Sequence, residues 1–194
     1  MDPKASIERL AEGNRRFIAG QRTPVDLVRR RQATAGGQRP WAAIVACADA
    51  RVAPEIVFDT TLGDLFVVRT GGNVVDELVL GSLRFGVETL GAPVIVVLGH
   101  YGCGAVQATC AGDTPEHLAC VCDEVLPSAE AARAGGATAE VEVCDEAVRL
   151  HAEAMAGRVR DDAFLGTAVP VVWGVYDVAT GEVRLHDTAG IDAD

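Results

Sequence analysis

Two short stretches carry residue types that can grip a soft metal and do acid–base work beside it. The first is Cys47-Ala48-Asp49-Ala50-Arg51 and the second is His100-Tyr101-Gly102-Cys103-Gly104. A thiolate is a metal ligand, and a guanidinium beside a carboxylate holds it ionised through paired hydrogen bonds. Alone, the first stretch reads equally well as a buried cysteine followed by a surface ion pair. Together, Cys47, His100 and Cys103 offer two thiolates and one imidazole. That set suits zinc with the fourth tetrahedral position left open, the arrangement of a catalytic site. A fourth thiol from Cys110, Cys120, Cys122 or Cys144 would close it. Those residues fall in helical stretches and read instead as small core or surface residues, and Cys120-Val121-Cys122 lacks the spacing of a metal knuckle.

Each stretch directly follows a predicted buried strand, at 41–46 and at 94–98, both apolar and rich in β-branched residues. The carboxyl ends of parallel strands share one sheet edge, so sites remote in sequence can meet there. If strand alternation continues past residue 47, Cys47, Asp49 and Arg51 face one side. Pro54 suits the start of a short helix over 53–58. A third strand is expected at 63–69, ending in the turn Thr70-Gly71-Gly72-Asn73, and a fourth at 169–176. After Thr180-Gly181, residues 182–186 alternate and read as an antiparallel edge strand. Helical spacing covers 5–19, 74–90 (weakened by Gly81 and Gly86), 105 to about 110–112, 115–134 and 139–155, with Pro127 expected to interrupt or offset the segment that holds it. The expected fold is therefore α/β: a mainly parallel central sheet of four parallel strands plus an antiparallel edge strand, flanked by helices. A single domain is expected, with an N-terminal helical arm and polar linker over 1–40 and the α/β core over 41–194. The lone N-terminal helix has no partner in its sequence neighbourhood; packing on a second subunit and docking on its own sheet both fit the pattern.

A net charge of −11 over 194 residues argues against nucleic acid or an anionic membrane as partner. No apolar run reaches transmembrane length, and Met1-Asp2-Pro3-Lys4 lacks a secretory pattern. Six cysteines in such a chain point to a reducing compartment, the cytoplasm.

The pairing of Cys47-Ala-Asp49-Ala-Arg51 with His100-Tyr-Gly-Cys103-Gly resembles the β-class carbonic anhydrases. Glu12-Gly13-Asn14-Arg15-Arg16-Phe17, Gly63-Asp64-Leu65-Phe66-Val67-Val68-Arg69, Asn73 and Gly99-His100 extend the likeness, which runs from about Ile7 to the last strand and is weakest over 112–168. The resemblance implies one zinc ion per subunit on Cys47, His100 and Cys103, and reversible hydration of carbon dioxide to bicarbonate and a proton. Zinc-bound hydroxide would attack, with Asp49 accepting its hydrogen bond and Arg51 keeping Asp49 charged and oriented. Gln38 and the backbone N–H of Gly104 would contact substrate. Phe66 and Phe85 would line the pocket, partly across a dimer interface, though both also read as ordinary core. A homodimer or dimer of dimers is implied. His117, His151, His186 and Tyr101 are candidate proton carriers that read equally as surface or satisfied residues.

Ile44 departs from members that carry Trp there as part of an inhibitory bicarbonate pocket, while Arg69 and Tyr176 match its other members. An open site with Asp49 held by Arg51 is therefore expected near neutral pH. Two other readings keep the same ligands: a carbon disulfide or carbonyl sulfide hydrolase, and a zinc-binding relative without turnover.

Overall fold

The computed structural model describes residues 2–186. Strands β1 (Ala42–Cys47), β2 (Leu65–Thr70), β3 (Ile95–His100), β4 (Val171–Tyr176) and β5 (Val183–His186) form one sheet in the order β2-β1-β3-β4-β5. All neighbours are parallel except β4 and β5. This is the expected α/β architecture, and the segments expected at 63–69 and 169–176 are β2 and β4. The described residues end before the expected core boundary at 194. No helix among them is long and apolar enough to cross a membrane.

The order matters for the site. From β1 the chain goes to β2 on one side and then returns to place β3 on the other. A crevice opens where such an order reverses, at the carboxyl ends of the strands. In register, Ala46 faces Leu98, so Cys47 and His100 end adjacent strands at one edge.

Alternation along each strand divides the core. Ala43, Val45, Ile95, Val97, Val171 and Trp173 face one helical layer, made mainly by α4 (Glu77–Arg84), α5 (Gly104–Ala111), α6 (Ala119–Ala134) and α7 (Glu140–Asp161). Ala42, Ile44, Ala46, Val96, Leu98 and Val172 face the other, closed by α1 (Pro3–Ile18) and α3 (Pro54–Val57). Two-sided burial explains why β1, β3 and β4 are apolar without interruption.

Helix α1 begins with Asp2 accepting from the Ala5 N–H, and Pro3 occupies its first turn. It docks on its own chain. Ile7 and Leu10 are buried, and a Cβ on Gly13 would lie 1.9 Å from the Phe58 carbonyl oxygen. The buried Asn14 donates to the Val57 and Gly181 carbonyls and accepts from the Val183 N–H, stitching helix, α3 and the β4–β5 hairpin together. A polar residue on a nominally solvent face thus makes the tertiary contact.

Several elements depart from the pattern. The polar linker contains a helix, α2 (Leu27–Thr34), capped by Asp26. It buries no residue and is held by Arg30, which bonds the Leu62 carbonyl and Asp64, so no apolar stripe announced it. The segment expected to be helical over 74–90 begins only at Glu77, with Asp76 as cap, and widens into a π-helical turn, Phe85–Thr89. Gly86 lies there because a Cβ would come within 2.9 Å of the Phe66 ring. Helix α6 runs through Pro127; the packing of Cys122, Val125, Ala129 and Ala132 outweighs the missing backbone hydrogen bond. Helix α7 continues past Met155 to Asp161, and a short α8 (Leu165–Ala168) leads into β4.

Asp59 anchors the arm to the core. It accepts from Arg16 at 2.6 Å and from the Thr23 hydroxyl at 2.7 Å, and Arg22 lies 3.5 Å away. Burial would raise the carboxyl, but Arg16 and Thr23 outweigh it and hold the group below the ordinary aspartate range. The folded carboxyl therefore ionises more readily than the unfolded one. Its contribution is complete above the unfolded pKa and is lost as pH falls through the folded pKa. Asp59→Asn should cost about 1–3 kcal/mol at pH 7. In urea melts between pH 7 and 3 the variant should also show a shallower loss of stability than wild type; parallel curves would remove Asp59 from the acid response.

Candidate metal centre and its carboxylate–arginine rim

Cys47 is the last residue of β1, His100 the last of β3, and Cys103 the residue that precedes α5. Among the described residues these three form the one group of metal-capable side chains, with donor atoms all within 4.8 Å of one another. All three are buried: Cys47 is 5% exposed, Cys103 2% and His100 0%.

The donor set fits zinc. Two thiolates on a tetrahedral zinc, each about 2.3 Å from it, sit about 3.8 Å apart; Cys47 Sγ and Cys103 Sγ are 3.9 Å apart. His100 Nδ1 lies 3.1 Å from the Tyr101 carbonyl oxygen, a geometry in which Nδ1–H donates and Nε2 keeps its lone pair. That second nitrogen is buried with no hydrogen-bond partner among the described residues. A buried imidazole nitrogen without a partner, fixed in the ligating tautomer by a carbonyl behind it, is how a protein presents histidine to a metal. The thiols share their protons unequally. The Cys103 thiol, together with His100 and the Asp49 N–H, draws Cys47 down to about 4, while the Cys47 thiolate and burial push Cys103 up. A divalent cation would draw off the remaining proton and make both thiolates ligands.

Asp49 and Arg51 form the rim. The strand stops at Cys47, so these residues meet on the turn beyond it and not by continued alternation. Arg51 donates from Nε to Asp49 Oδ1 at 2.9 Å and from Nη2 to Oδ2 at 2.6 Å, and its backbone N–H also bonds Oδ1 at 2.9 Å. Arg51 Nη2 further donates to the Gly102 carbonyl at 3.0 Å, joining the two motifs. The Arg51 guanidinium, aided by that N–H, holds Asp49 far below the usual carboxylate range, against a smaller opposing effect of burial. Asp49 Oδ2 lies 3.9 Å from His100 Nε2, so the carboxylate borders the three donors while Arg51 stays solvent-exposed.

Arg69 braces this turn from β2, donating to the Cys47 carbonyl at 3.1 Å and the Asp49 carbonyl at 2.6 Å. The family resemblance ties Arg69 only to an anion pocket, and nothing in the sequence points to the Tyr101 and Gly102 carbonyls. A charge closing an otherwise apolar strand was the available signal for Arg69; backbone acceptors leave none.

Other expected site residues lie elsewhere in the chain. Gly104 opens α5, so its N–H belongs to the first turn, where amides have no intrahelical partner. Phe66 pairs in register with Ala43, near the opposite end of β1 from Cys47, and its ring lies 6.2 Å from that of Phe85, which is 49% exposed. Gln38 is exposed beside Pro40, Trp41 and Pro93, at the edge where the strands begin. The six-residue β1 spans roughly 20 Å, so one chain does not bring Gln38 to its own metal donors. His151 is buried against the Gly72 carbonyl at 2.9 Å, whereas His117 and His186 are exposed.

The family model described as carbonic anhydrase matches residues 42–183. The chain belongs to the β-carbonic anhydrase family. It is 40% identical to carbonic anhydrase 2 of Mycobacterium tuberculosis, over 97% of this chain and 95% of that protein. It is 38% identical to the carbonic anhydrase of Mycolicibacterium smegmatis, over 97% and 96%. Its fold is similar to that of the Coccomyxa β-carbonic anhydrase solved with acetazolamide, with TM-score 0.72 and 27% identity over 92% of this chain and 85% of that one.

Cys103→Ser should leave the far-ultraviolet circular dichroism unchanged while metal content falls to less than a tenth of an equivalent. In cobalt-substituted protein the sulfur-to-cobalt charge-transfer bands should weaken sharply; full metal retention would remove Cys103 from the donor set.

Proposed function

We propose that this chain hydrates carbon dioxide reversibly to bicarbonate and a proton, with one zinc ion held by Cys47, His100 and Cys103 and with Asp49 and Arg51 as the catalytic pair. The observation that carries the reading is the bidentate Asp49–Arg51 pair set beside three buried soft donors. Zinc, when bound, lowers the pKa of coordinated water toward neutrality and so supplies a nucleophile at physiological pH. Asp49, kept ionised by Arg51, accepts a hydrogen bond from the attacking oxygen and turns its lone pair toward the carbon of carbon dioxide. Arg51 cannot follow a proton, so the carboxylate stays an acceptor throughout. The Gly104 N–H donates to a substrate oxygen and stabilises the charge that develops as bicarbonate forms. Exposed groups near the rim carry the proton to buffer; the buried His151 does not.

The pocket is completed by a second copy of the chain, in a homodimer or a dimer of dimers. Gln38, and Phe66 of β2 with Phe85 beside it, lie toward the end of the sheet where the strands begin, too far to serve their own site, and β2 is an open sheet edge. On the helix beside that edge, Leu78 is 80% and Phe85 49% exposed, and their spacing puts them on one face. Free thiols at all six cysteines suit a reducing cytoplasm.

Asp49→Asn should keep a full equivalent of zinc and lose at least about 100-fold in kcat/KM by stopped-flow pH-indicator assay, the scale of losing one oriented catalytic group. Unchanged turnover would refute the assignment, and sulfide release from carbon disulfide without carbon dioxide hydration would assign a different substrate. A mixed population tests the shared pocket. Hybrids of Asp49→Asn and Gln38→Ala chains should regain about half of wild-type activity, because one of the two sites is then intact. No recovery on mixing two inactive variants would place Gln38 in its own chain's site, and a fully active Gln38→Ala would place it outside the site.

A further inference from the structure

His151 takes no part in proton transfer, yet it is bonded to a turn that reaches the metal edge. It lies midway along α7, is 1% exposed, and donates from Nε2–H to the Gly72 carbonyl at 2.9 Å. Its Nδ1 is buried with no hydrogen-bond partner among the described residues. An unpaired buried polar atom is costly, so the single bond to Gly72 is what distinguishes histidine from an aliphatic residue here. Two residues further along the same face of α7 grip the same segment. Met155 Sδ accepts from the Val75 N–H at 3.3 Å, and Arg158 donates to the Val75 carbonyl at 2.8 Å.

The gripped segment is the turn between β2 and α4. Gly72 and Asn73 both have left-handed backbone, with φ of 59° and 49°. Consecutive left-handed residues, one of them not glycine, keep that form only where their surroundings hold it. The turn touches both metal-binding motifs. Just before it, the Thr70 carbonyl accepts from the Ala48 N–H at 2.8 Å, between Cys47 and Asp49. At Gly72 itself, a Cβ would lie 3.5 Å from that of Ala105, two residues after Cys103. The turn is thus a spacer between the stretch that carries Cys47 and Asp49 and the start of α5, and His151 is bonded to its middle.

We propose that His151 is a positioning residue of the metal centre: its bond to Gly72 holds the turn over 70–75 in the form that keeps the Cys47 and Cys103 sulfurs 3.9 Å apart. This role presupposes zinc on Cys47, His100 and Cys103, and His151 itself touches neither metal nor substrate. Without the bond the turn relaxes, the Ala48 N–H loses its fixed partner, and the two thiols share an ion less tightly. The consequence appears in metal affinity and in the spectrum of the bound metal, and not in stability alone.

The test compares full-length variants by chelator competition for zinc and by the absorption of the cobalt form. His151→Gln keeps an amide N–H close to the place of Nε2 and should keep wild-type zinc affinity. His151→Asn, whose shorter side chain stops short of Gly72, and His151→Leu should bind zinc about 10–100-fold more weakly, the scale of losing outer support for a metal ligand. Both should also shift or weaken the sulfur-to-cobalt bands. Val159→Ala, a buried truncation two turns further along α7, should lower Tm and leave affinity and bands unchanged. Equal zinc affinity in all His151 variants overturns the proposal. So does a Gln variant as weak as Leu, or a loss in Val159→Ala that matches Leu. Where Asn and Leu do not fold, wild type decides by imidazole nitrogen–proton correlation. Removing zinc should shift the His151 Nε2–H signal and speed its exchange with water, while the exposed His117 and His186 hold still. A His151 response no larger than theirs overturns the proposal. Wild-type protein that takes up no zinc would overturn the metal reading itself, and this role with it.

Discussion

Two buried thiols and a buried imidazole nitrogen cannot stay together without something to compensate them, and this constraint organises the rest of the molecule. An unpaired polar nitrogen in a fully buried position costs about 1–3 kcal/mol, and His100 Nε2 is such an atom. Its ring cannot turn away, because the Tyr101 carbonyl holds the opposite nitrogen. Cys47 and Cys103 face it at the same edge because β1 and β3 are adjacent and parallel. A soft divalent cation would satisfy all three at once. The strand order supplies the remaining condition, because it reverses between β1 and β3, where open α/β sheets place their ligand crevices.

Charge around the centre follows a simple sum. A divalent ion with two thiolates is neutral, and Asp49 with Arg51 is neutral again. Arg69, on the Cys47 and Asp49 carbonyls, leaves one positive charge beside the site. The chain as a whole carries −11. A local positive field inside a negative protein suits a neutral substrate that becomes an anion in the crevice, and repulsion from the surrounding surface favours its departure.

The strands and metal donors were legible in the sequence because burial on both faces writes itself as uninterrupted apolar runs, and because soft ligands directly after such runs are few. Strand order was not legible. Nothing in 94–98 says that it pairs with β1 instead of β2, although the site depends on that choice. Local pattern also failed where tertiary contacts outweighed it. Pro127 lies inside α6 because the helix is buried along one side. Helix α2 was hidden because two arginine hydrogen bonds to the loop before β2, and no apolar stripe, hold it in place. Asn14 reads as solvent-facing polarity, yet its amide reaches Val57, Gly181 and Val183. Position along β1 decides which of the expected site residues one chain can bring together: Cys47 closes the strand at the edge where the three donors meet, and Gln38 precedes it at the other.

The hydrogen bonds at the rim also bear on whether Asp49 could itself occupy the fourth metal position. To do so it would have to leave two guanidinium donors and the Arg51 backbone N–H, which together span both carboxylate oxygens. Charge-assisted, bidentate bonds are the stronger kind, and Arg51 would keep only the Gly102 carbonyl. Something must then stabilise the turn in its altered form. Arg69 already holds the backbone on both sides of Ala48 through the Cys47 and Asp49 carbonyls, which resists rotation of that turn. Ile44, fully buried against the α1 side of the sheet, offers no hydrogen-bond donor to hold an anion beside Arg69. The balance of contacts therefore favours the carboxylate on its arginine.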